Sequence, residues 1–198
     1  MRKYALVIDH EACWGCKTCE VACKQENHSA DGIKLISVSE NGPKMVDGEL
    51  YFVFHVTVCT HCDDAACVDA CPEQAISKRQ DGIVVMDYEK CTGCQLCIEV
   101  CPYQAIAFDL DKGIAQKCNL CHHRVDKGLI PACADNVCLA HCIYFGDPDE
   151  IQEKIKEKHM FSESGPGPHF PLGLKRTQDP RILSLKNERK INPPKTGL

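Results

Sequence analysis

Cysteines carry the most specific chemical information in this sequence, because 17 of its 198 residues are cysteine and most stand in short regular runs. The most regular run places Cys91, Cys94, Cys97 and Cys101 before Pro102, in the spacing C-x2-C-x2-C-x3-C-P. This spacing is typical of thiolates that bind [4Fe–4S] clusters. The first three thiolates lie on one tight loop and can each reach a different iron of one cubane. The fourth points away from that cluster, so the run predicts ligands for two neighbouring clusters.

A zinc site is the alternative interpretation of the same run. Zinc requires four thiolates in two pairs, which leaves no role for the fourth cysteine or for the proline behind it. In the cluster interpretation Gly93 allows the sharp turn of the loop, and Pro102 prevents the chain from continuing as a helix. We therefore favour iron–sulfur ligation and keep a zinc-binding interaction module as the alternative function.

Three further groups of cysteines flank this run. The first repeats its spacing but has Lys24 where the proline would stand, and the second lengthens one loop by two residues and ends on Cys71-Pro72. The last group is irregular, with eleven residues between Cys121 and Cys133 and no proline after its final cysteines. The members are Cys13, Cys16, Cys19 and Cys23 in the first group, Cys59, Cys62, Cys67 and Cys71 in the second, and Cys118, Cys121, Cys133, Cys138 and Cys142 in the last.

Composition excludes several other classes of protein. The formal charge of −5 offers no basic surface for nucleic acid, and no apolar run approaches the length of a membrane span. The odd number of cysteines, their C-x2-C spacing and the lack of a secretory segment at the start argue against a disulfide scaffold. We therefore expect one or two small domains in a reducing compartment, most simply the cytoplasm.

Apolar patterning and turn residues predict the elements that hold the first groups. A short strand is expected from Tyr4 to Asp9. Two more are expected, from Ile33 to Ser39 and from Glu49 to Val58. Turn residues at Asn41-Gly-Pro43 and Asp47-Gly48 separate these two strands.

An internal repeat organises the middle of the chain. The segment from Cys71 to Cys94 runs from cysteine–proline through a hairpin to the next C-x2-C pair, and the segment from Cys101 to Cys121 repeats that order. In the first copy the hairpin is expected to turn at Gln80-Asp-Gly82. Behind the last group, a helix capped by Asp147 is predicted to run to about Lys158. A tail rich in proline and basic residues follows from Ser164.

The four groups in this order resemble the four-cluster ferredoxin-type subunits of the dimethyl sulfoxide reductase and polysulfide reductase family. The resemblance covers about Lys3 to Gly146. Supporting phrases are Tyr4-Ala-Leu-Val-Ile-Asp9, Val21-Ala-Cys-Lys-Gln-Glu26, Cys118-Asn-Leu-Cys121, Pro131-Ala-Cys133 and Phe145-Gly146. It implies an α+β fold of duplicated bacterial 2[4Fe–4S] ferredoxin-like domains with short β-hairpins over residues 1–146. A C-terminal helix over residues 147–160 and an extended partner-binding tail over residues 161–198 complete the expected organisation.

The family pattern implies four [4Fe–4S] clusters with crossed ligation, in which the first group pairs with the last and the second with the third. We call the four implied ligand sets sites I to IV. Site I takes Cys13, Cys16, Cys19 and one late cysteine, site II takes Cys118, Cys121, Cys133 and Cys23, site III takes Cys59, Cys62, Cys67 and Cys101, and site IV takes Cys91, Cys94, Cys97 and Cys71.

The last ligand of site I is where the sequence departs from the family pattern. Four clusters need sixteen thiolates and seventeen are present, so one cysteine is spare. In the family the final cysteine stands seven residues before Phe-Gly, and counting back from Phe145 reaches Cys138. We therefore predict Cys138 as the ligand and Cys142 as the spare thiol, with the opposite assignment as the alternative.

The resemblance also implies a function. Members of the family carry single electrons through their clusters to or from a catalytic subunit that holds a molybdenum or tungsten pterin, in anaerobic oxidoreductase complexes. We expect a non-catalytic electron-transfer subunit whose partners are that larger subunit and further electron-transfer subunits. The tungsten benzoyl-CoA reductases are one such setting. An enzyme in its own right, with one atypical cluster open to substrate, is a third interpretation, although no catalytic motif supports it.

Four lysines stand next to predicted ligands. A cation close to a cluster could raise its reduction potential, but each lysine is as well explained as a solvated surface residue. They are Lys17, Lys24, Lys90 and Lys117.

Overall fold

The computed structural model describes residues 4–46 and 48–164, which contain eight strands in four antiparallel pairs and five helices. In chain order these are β1 (Ala5–Ile8), α1 (Thr18–Asn27), β2 (Ile36–Val46), β3 (Glu49–Val58), α2 (Ala66–Asp69), β4 (Ile76–Lys78), β5 (Val84–Met86), α3 (Leu96–Glu99), β6 (Ile106–Asp109), β7 (Ile114–Lys117), α4 (His122–Val125), β8 (Ile143–Gly146) and α5 (Pro148–Ser164). The predicted α+β class is confirmed.

The two central hairpins follow the internal repeat. β4 pairs with β5 and β6 pairs with β7, and each hairpin begins shortly after a cysteine–proline step. A four-residue helix precedes each step, α2 before Pro72 and α3 before Pro102, because proline has no N–H and does not continue a helix. Gln74 and Gln104 occupy equivalent places in the two copies and both have left-handed backbone, with φ of 49° and 51°. The repeat in sequence is therefore also a repeat in local backbone structure.

β1 and β8 join the start of the chain to the end of the cysteine-bearing region. The pairing aligns Ala5 with Gly146. Beside it the rings of Tyr4 and Phe145 stack, with their centroids 5.2 Å apart. Since the first cysteine group follows β1 and the last group precedes β8, this pairing brings the two groups together.

One predicted turn is wrong. Asn41-Gly-Pro43 predicted the end of a strand, but β2 continues through this segment to Val46. The register with β3 shifts between Asn41 and Lys44, so the strand absorbs the intervening residues as an irregularity. The physical reason is that a bulge leaves a residue without a ladder partner, which suits a proline that has no N–H to donate.

The predicted C-terminal helix is confirmed as α5. Oδ1 of Asp147 accepts a hydrogen bond from the backbone N–H of Asp149 at 3.0 Å, which is the expected cap. Ile151, 3% exposed, is buried where α5 meets β1 and β8. The helix ends at Ser164, beyond the predicted end near Lys158. The predicted tail lies, from residue 165 onward, outside the described residues.

Two buried clusters of side chains make up the core. One combines residues of β2 and β3, such as Ile36 and Val56, with cysteines of the first and last groups. The other lies between the central hairpins and includes Ile76, Val84 and Ala115. In both, cysteines occupy positions that aliphatic side chains fill in an ordinary core. None of the helices in the described ranges has the length and apolarity that crossing a bilayer requires.

Candidate metal centres

All 17 cysteines lie in the described part of the chain, and none of them forms a disulfide. Most are buried or half-buried, and only Cys16 and Cys94 among them are exposed. They gather in four places, each of which contains at least one cysteine from a distant part of the chain.

Site IV brings Cys71 beside three cysteines of the third group. Burial, followed by the neighbouring thiolates of Cys91, Cys94 and Cys71, raises the pKa of Cys97 to about 11. The same four cysteines line one pocket, to which Ala115 also contributes. Cys71 thus lies beside the third group, which is the placement that crossed ligation requires.

Site III is the complementary case, in which Cys101 lies with three cysteines of the second group. Burial raises the pKa of Cys67 to about 11, and Cys59, Cys101 and Cys62 contribute in the same direction. The ammonium group of Lys117 is the strongest opposing influence on the pKa of both Cys67 and Cys59.

Site II gathers Cys23 with three cysteines of the last group. Burial raises the pKa of Cys133 well above the ordinary thiol value, and Cys118, Cys23 and Cys121 add to this. Burial also raises the pKa of Cys23 to about 12. Nδ2 of Asn27 lies 3.5 Å from the sulfur of Cys23 and can donate a hydrogen bond to it.

Site I contains five thiols instead of four. Burial raises the pKa of Cys19 to about 12, with further contributions from Cys13, Cys138 and Cys16. Cys142 lies in the same place, because its Sγ is 3.4 Å from that of Cys138 and it also shares a hydrogen bond with Cys13. The structure therefore brings both candidates for the last ligand to this site.

Hydrogen bonds distinguish the two late cysteines. The hydrogen bond with the Cys142 thiol, together with the backbone N–H groups of Cys142, Ala140 and Ile143, lowers the pKa of Cys138 to about 5 against the effect of burial. The N–H of Cys142 lies 3.4 Å from that sulfur. Hydrogen bonds with Cys13 and Cys138 raise the pKa of Cys142 far above the ordinary value. The backbone N–H donated by Cys142 therefore favours the thiolate form at Cys138.

The sites fit iron–sulfur clusters in their chemistry. Burial disfavours the charged form of most of these thiols, so binding as thiolates requires compensating positive charge, which the iron of a cluster supplies. Four cysteines around one pocket match the four iron corners of a cubane. Within the described ranges no three Cys, His, Asp or Glu side chains converge as the ligands of a single metal ion would.

Lys117 differs in burial from the other three lysines that stand beside predicted ligands. Lys17, Lys24 and Lys90 reach solvent and lie near surface carboxylates. Lys117 is fully buried. Their positions in the sequence, each close to a cysteine, do not reveal this difference.

His61 is a half-buried residue whose role its position in the sequence does not indicate. It lies between Cys59 and Cys62, and its Nδ1 accepts a hydrogen bond from the backbone N–H of Val84 at 3.0 Å. Burial, followed by the charge of Lys117, holds the pKa of His61 at about 3, so the ring is neutral. No sequence signal could have found it, because its hydrogen bond is with Val84 of β5, which lies more than twenty residues further along the chain.

Two family models described as "4Fe-4S dicluster domain" match the sequence, one over residues 50–148 and the other over residues 12–76. A putative dimethyl sulfoxide reductase iron-sulfur subunit of Halobacterium salinarum is 39% identical over 186 residues, which cover 79% of this chain and 71% of that protein. A polysulfide reductase chain of Wolinella succinogenes is 36% identical over 190 residues, or 95% of this chain and 96% of that protein. The thiosulfate reductase electron transfer subunit of Salmonella typhi is 34% identical over 165 residues, or 81% and 85%. The zinc alternative finds no support among these similarities.

Proposed function

The protein belongs to the 4Fe-4S dicluster family that includes the iron–sulfur subunits of these reductases, and on that premise we propose that it relays single electrons through four [4Fe–4S] clusters. It is an electron-transfer subunit and not a catalytic one. The observation that carries the proposal is the gathering of cysteines from separate groups at each of four sites. Bound there, each cluster would cycle by one electron, and the protein would set its potential through burial, hydrogen bonds to sulfur and nearby charge.

The proposed ligands are the sixteen cysteines of sites I to IV, with Cys138 completing site I. The support for Cys138 over Cys142 is its set of hydrogen bonds, since its sulfur accepts from backbone N–H groups and shares a further hydrogen bond with the Cys142 thiol. Donors of this kind stabilise a thiolate and are a known means of tuning a cluster. Cys142 would remain a thiol beside the ligand.

The proposed relay runs from site I through sites II and III to site IV. Cys19 of site I acts electrostatically on Cys133 of site II. Cys59 of site III acts in the same way on Cys118 of site II. Sites III and IV would adjoin, because in the proposed crossed ligation each takes one ligand from the other's group. This order supports a line of neighbouring clusters through which electrons could move in short steps.

The two ends of that line are the places where electrons would enter and leave. Cys16 belongs to site I and Cys94 to site IV, and these two cysteines are more exposed than the other fifteen. Electron exchange with a partner requires a short distance between the cluster and the partner's redox centre, so we propose that redox partners dock near these two residues.

The proposed main partner is a larger catalytic subunit that holds a molybdenum or tungsten pterin, with further electron-transfer subunits in the same anaerobic complex. The relatives act in dimethyl sulfoxide, polysulfide and thiosulfate reductases, according to their names. A tungsten benzoyl-CoA reductase is the particular setting that we keep as a hypothesis. We place the complex in the cytoplasm, since unpaired thiols in this number suit a reducing compartment. Co-purification from the native host would identify the partner.

Iron analysis of anaerobically purified protein tests the proposed function. Four cubanes require about sixteen iron atoms per chain, and dithionite should bleach their visible absorption. An iron content near eight, or stoichiometric zinc in a colourless protein, would contradict it.

A further inference from the structure

Lys117 is a fully buried lysine at the end of β7, with 0% of its surface exposed. Its Nζ donates to the carbonyl oxygen of Cys118 at 2.8 Å and to that of Val84, and it lies 3.8 Å from Sγ of Cys59. Cys118 belongs to site II and Cys59 to site III. The ammonium group therefore lies between the ligands of two different sites.

An ammonium group in this position needs negative charge nearby. Burying a charge is costly unless an opposite charge compensates it, and the three acceptors around Lys117 are two carbonyl oxygens and a sulfur. None of these is a carboxylate. The contacts of Lys117 therefore indicate that the thiolates of sites II and III supply the negative charge that compensates its ammonium group.

The internal repeat contains a matched lysine in a different environment. Lys90 precedes Cys91 as Lys117 precedes Cys118. The Lys90 side chain is 62% exposed and its Nζ lies 3.5 Å from a carboxylate oxygen of Asp87. Water and that carboxylate screen the charge of Lys90, whereas the charge of Lys117 acts from inside the protein, where screening is weak.

We propose that Lys117 raises the reduction potential of the site III cluster, and to a smaller extent that of the site II cluster. The inference rests on the proposed function, since it presumes clusters at both sites. Reduction adds one negative charge to a cluster, and a fixed cation stabilises the reduced form more than the oxidised form. Site III takes the larger effect because Nζ faces a ligand sulfur there, whereas towards site II it faces the backbone carbonyl of Cys118. Lys117 thereby shifts the distribution of an electron towards the middle of the relay.

Redox titration followed by electron paramagnetic resonance tests this role in the full-length, cluster-loaded protein. In Lys117→Met we expect an unchanged iron content, a downward shift of one midpoint potential, a smaller downward shift of a second, and no change in the other two. Lys90→Met is the matched control, because it removes the same charge one residue before a ligand. All four potentials of the control should equal those of the unaltered protein.

Full iron content with four unchanged potentials in Lys117→Met would overturn the proposal, as would a shift equal to that of Lys90→Met. If Lys117→Met loses iron, two further variants test whether the charge of Lys117 sets the potential. Lys117→Gln keeps a donor for the carbonyl oxygens without the charge and should show the lowered potential, whereas Lys117→Arg keeps the charge and should not. Loss of clusters in all three variants would make Lys117 a packing residue and overturn the proposal. Failure of the proposed function would be distinguishable from failure of this inference, because the iron content of the unaltered protein would then fall short of about sixteen atoms per chain.

Discussion

Burial opposes the thiolate form at most of the candidate ligands. The pKa of Cys19 and of Cys23 is raised to about 12 by burial, so near neutral pH these thiols keep their protons in the protein alone. Cluster binding must release those protons, and the iron must supply the charge that makes the buried thiolates stable. Cys138 is different, because hydrogen bonds lower its pKa to about 5.

That difference leads to a prediction for the two late cysteines. Cys138→Ala should lose the site I cluster or reduce it to a three-iron form, so that iron falls from about sixteen towards about twelve atoms per chain. Cys142→Ala should keep about sixteen irons and shift one potential downward, because the ligand sulfur loses a hydrogen-bond donor. Iron analysis and redox titration of both variants check this. Cluster loss in Cys142→Ala with retention in Cys138→Ala would reverse the assignment.

A second prediction concerns Gly93, in the loop that carries three ligands of site IV. Its φ is +74°, and a Cβ at this position would overlap the carbonyl oxygen of Gly113 in the β6–β7 turn. Gly93→Ala should therefore cost about 1–2 kcal/mol for left-handed backbone and a further ~1–3 kcal/mol for overpacking. Denaturant unfolding under anaerobic conditions measures the loss, and the site IV signal should weaken with it.

Gly82→Ala is the control for this prediction. Gly82 also has positive φ, +90°, but a Cβ there would meet nothing within 4 Å. It should show only the backbone cost and retain every cluster. Equal effects of the two substitutions would mean that the contact with Gly113 has no role in holding the loop.

At the scale of elements, the repeated unit consists of a short helix, a cysteine–proline step and a hairpin. The step turns the last cysteine of each group out of its own loop, because proline ends the helix and the chain then enters β4 or β6. This is why Cys71 lies at site IV and Cys101 at site III.

Crossed ligation by these two elements predicts a pattern of lost signals. Cys71→Ala should remove the same paramagnetic signal as Cys94→Ala, and Cys101→Ala should remove the same signal as Cys62→Ala. The comparison needs no prior assignment of signals to sites. If Cys71→Ala instead removed the signal that Cys62→Ala removes, each group would bind its own cluster and the crossed pairing would be refuted.

At the scale of the whole molecule, the proposed clusters are part of the core. Cysteines belong to both buried clusters of side chains, and the antiparallel pair of β1 and β8 closes the region that contains all four sites. Metal binding in such a protein stabilises the fold as well as the site. Electrons would exchange at the two surface-exposed cysteines, Cys16 and Cys94, which belong to sites I and IV.

The tail outside the described residues leads to the last prediction. Residues 165–198 contain prolines and scattered leucines, such as Leu172 and Leu174, between basic side chains. A core built around clusters has little room for them, so we propose that the tail lies along the catalytic subunit. Deleting residues 165–198 should leave the iron content and spectra unchanged but weaken association with the partner in pull-down experiments. Co-purification of the truncated chain at full yield would show that the tail is not an anchor.

The sequence by itself determined the chemistry, the number of cysteine groups and most of the elements that carry them. Ligand spacing is a local property, since the reach of successive thiols around one cubane depends on the length of the loop between them. The hairpins behind Cys71 and Cys101 and the helix capped by Asp147 were predictable for the same reason, because their turn and cap residues are adjacent in the chain.

Only the tertiary structure decided which side chains are buried beside the ligands. Lys90 and Lys117 have equivalent places in the sequence, yet Lys117 is buried because its ammonium group reaches the carbonyl oxygen of Val84, 33 residues away. The convergence of Cys138 and Cys142 on Cys13 likewise depends on the pairing of β1 with β8. The path of β2 through Gly42 and Pro43 is set by the partner strand, which outweighs the local turn signal. Side-chain burial and strand pairing arise from contacts between distant segments, so the local spacing of residues does not predict them.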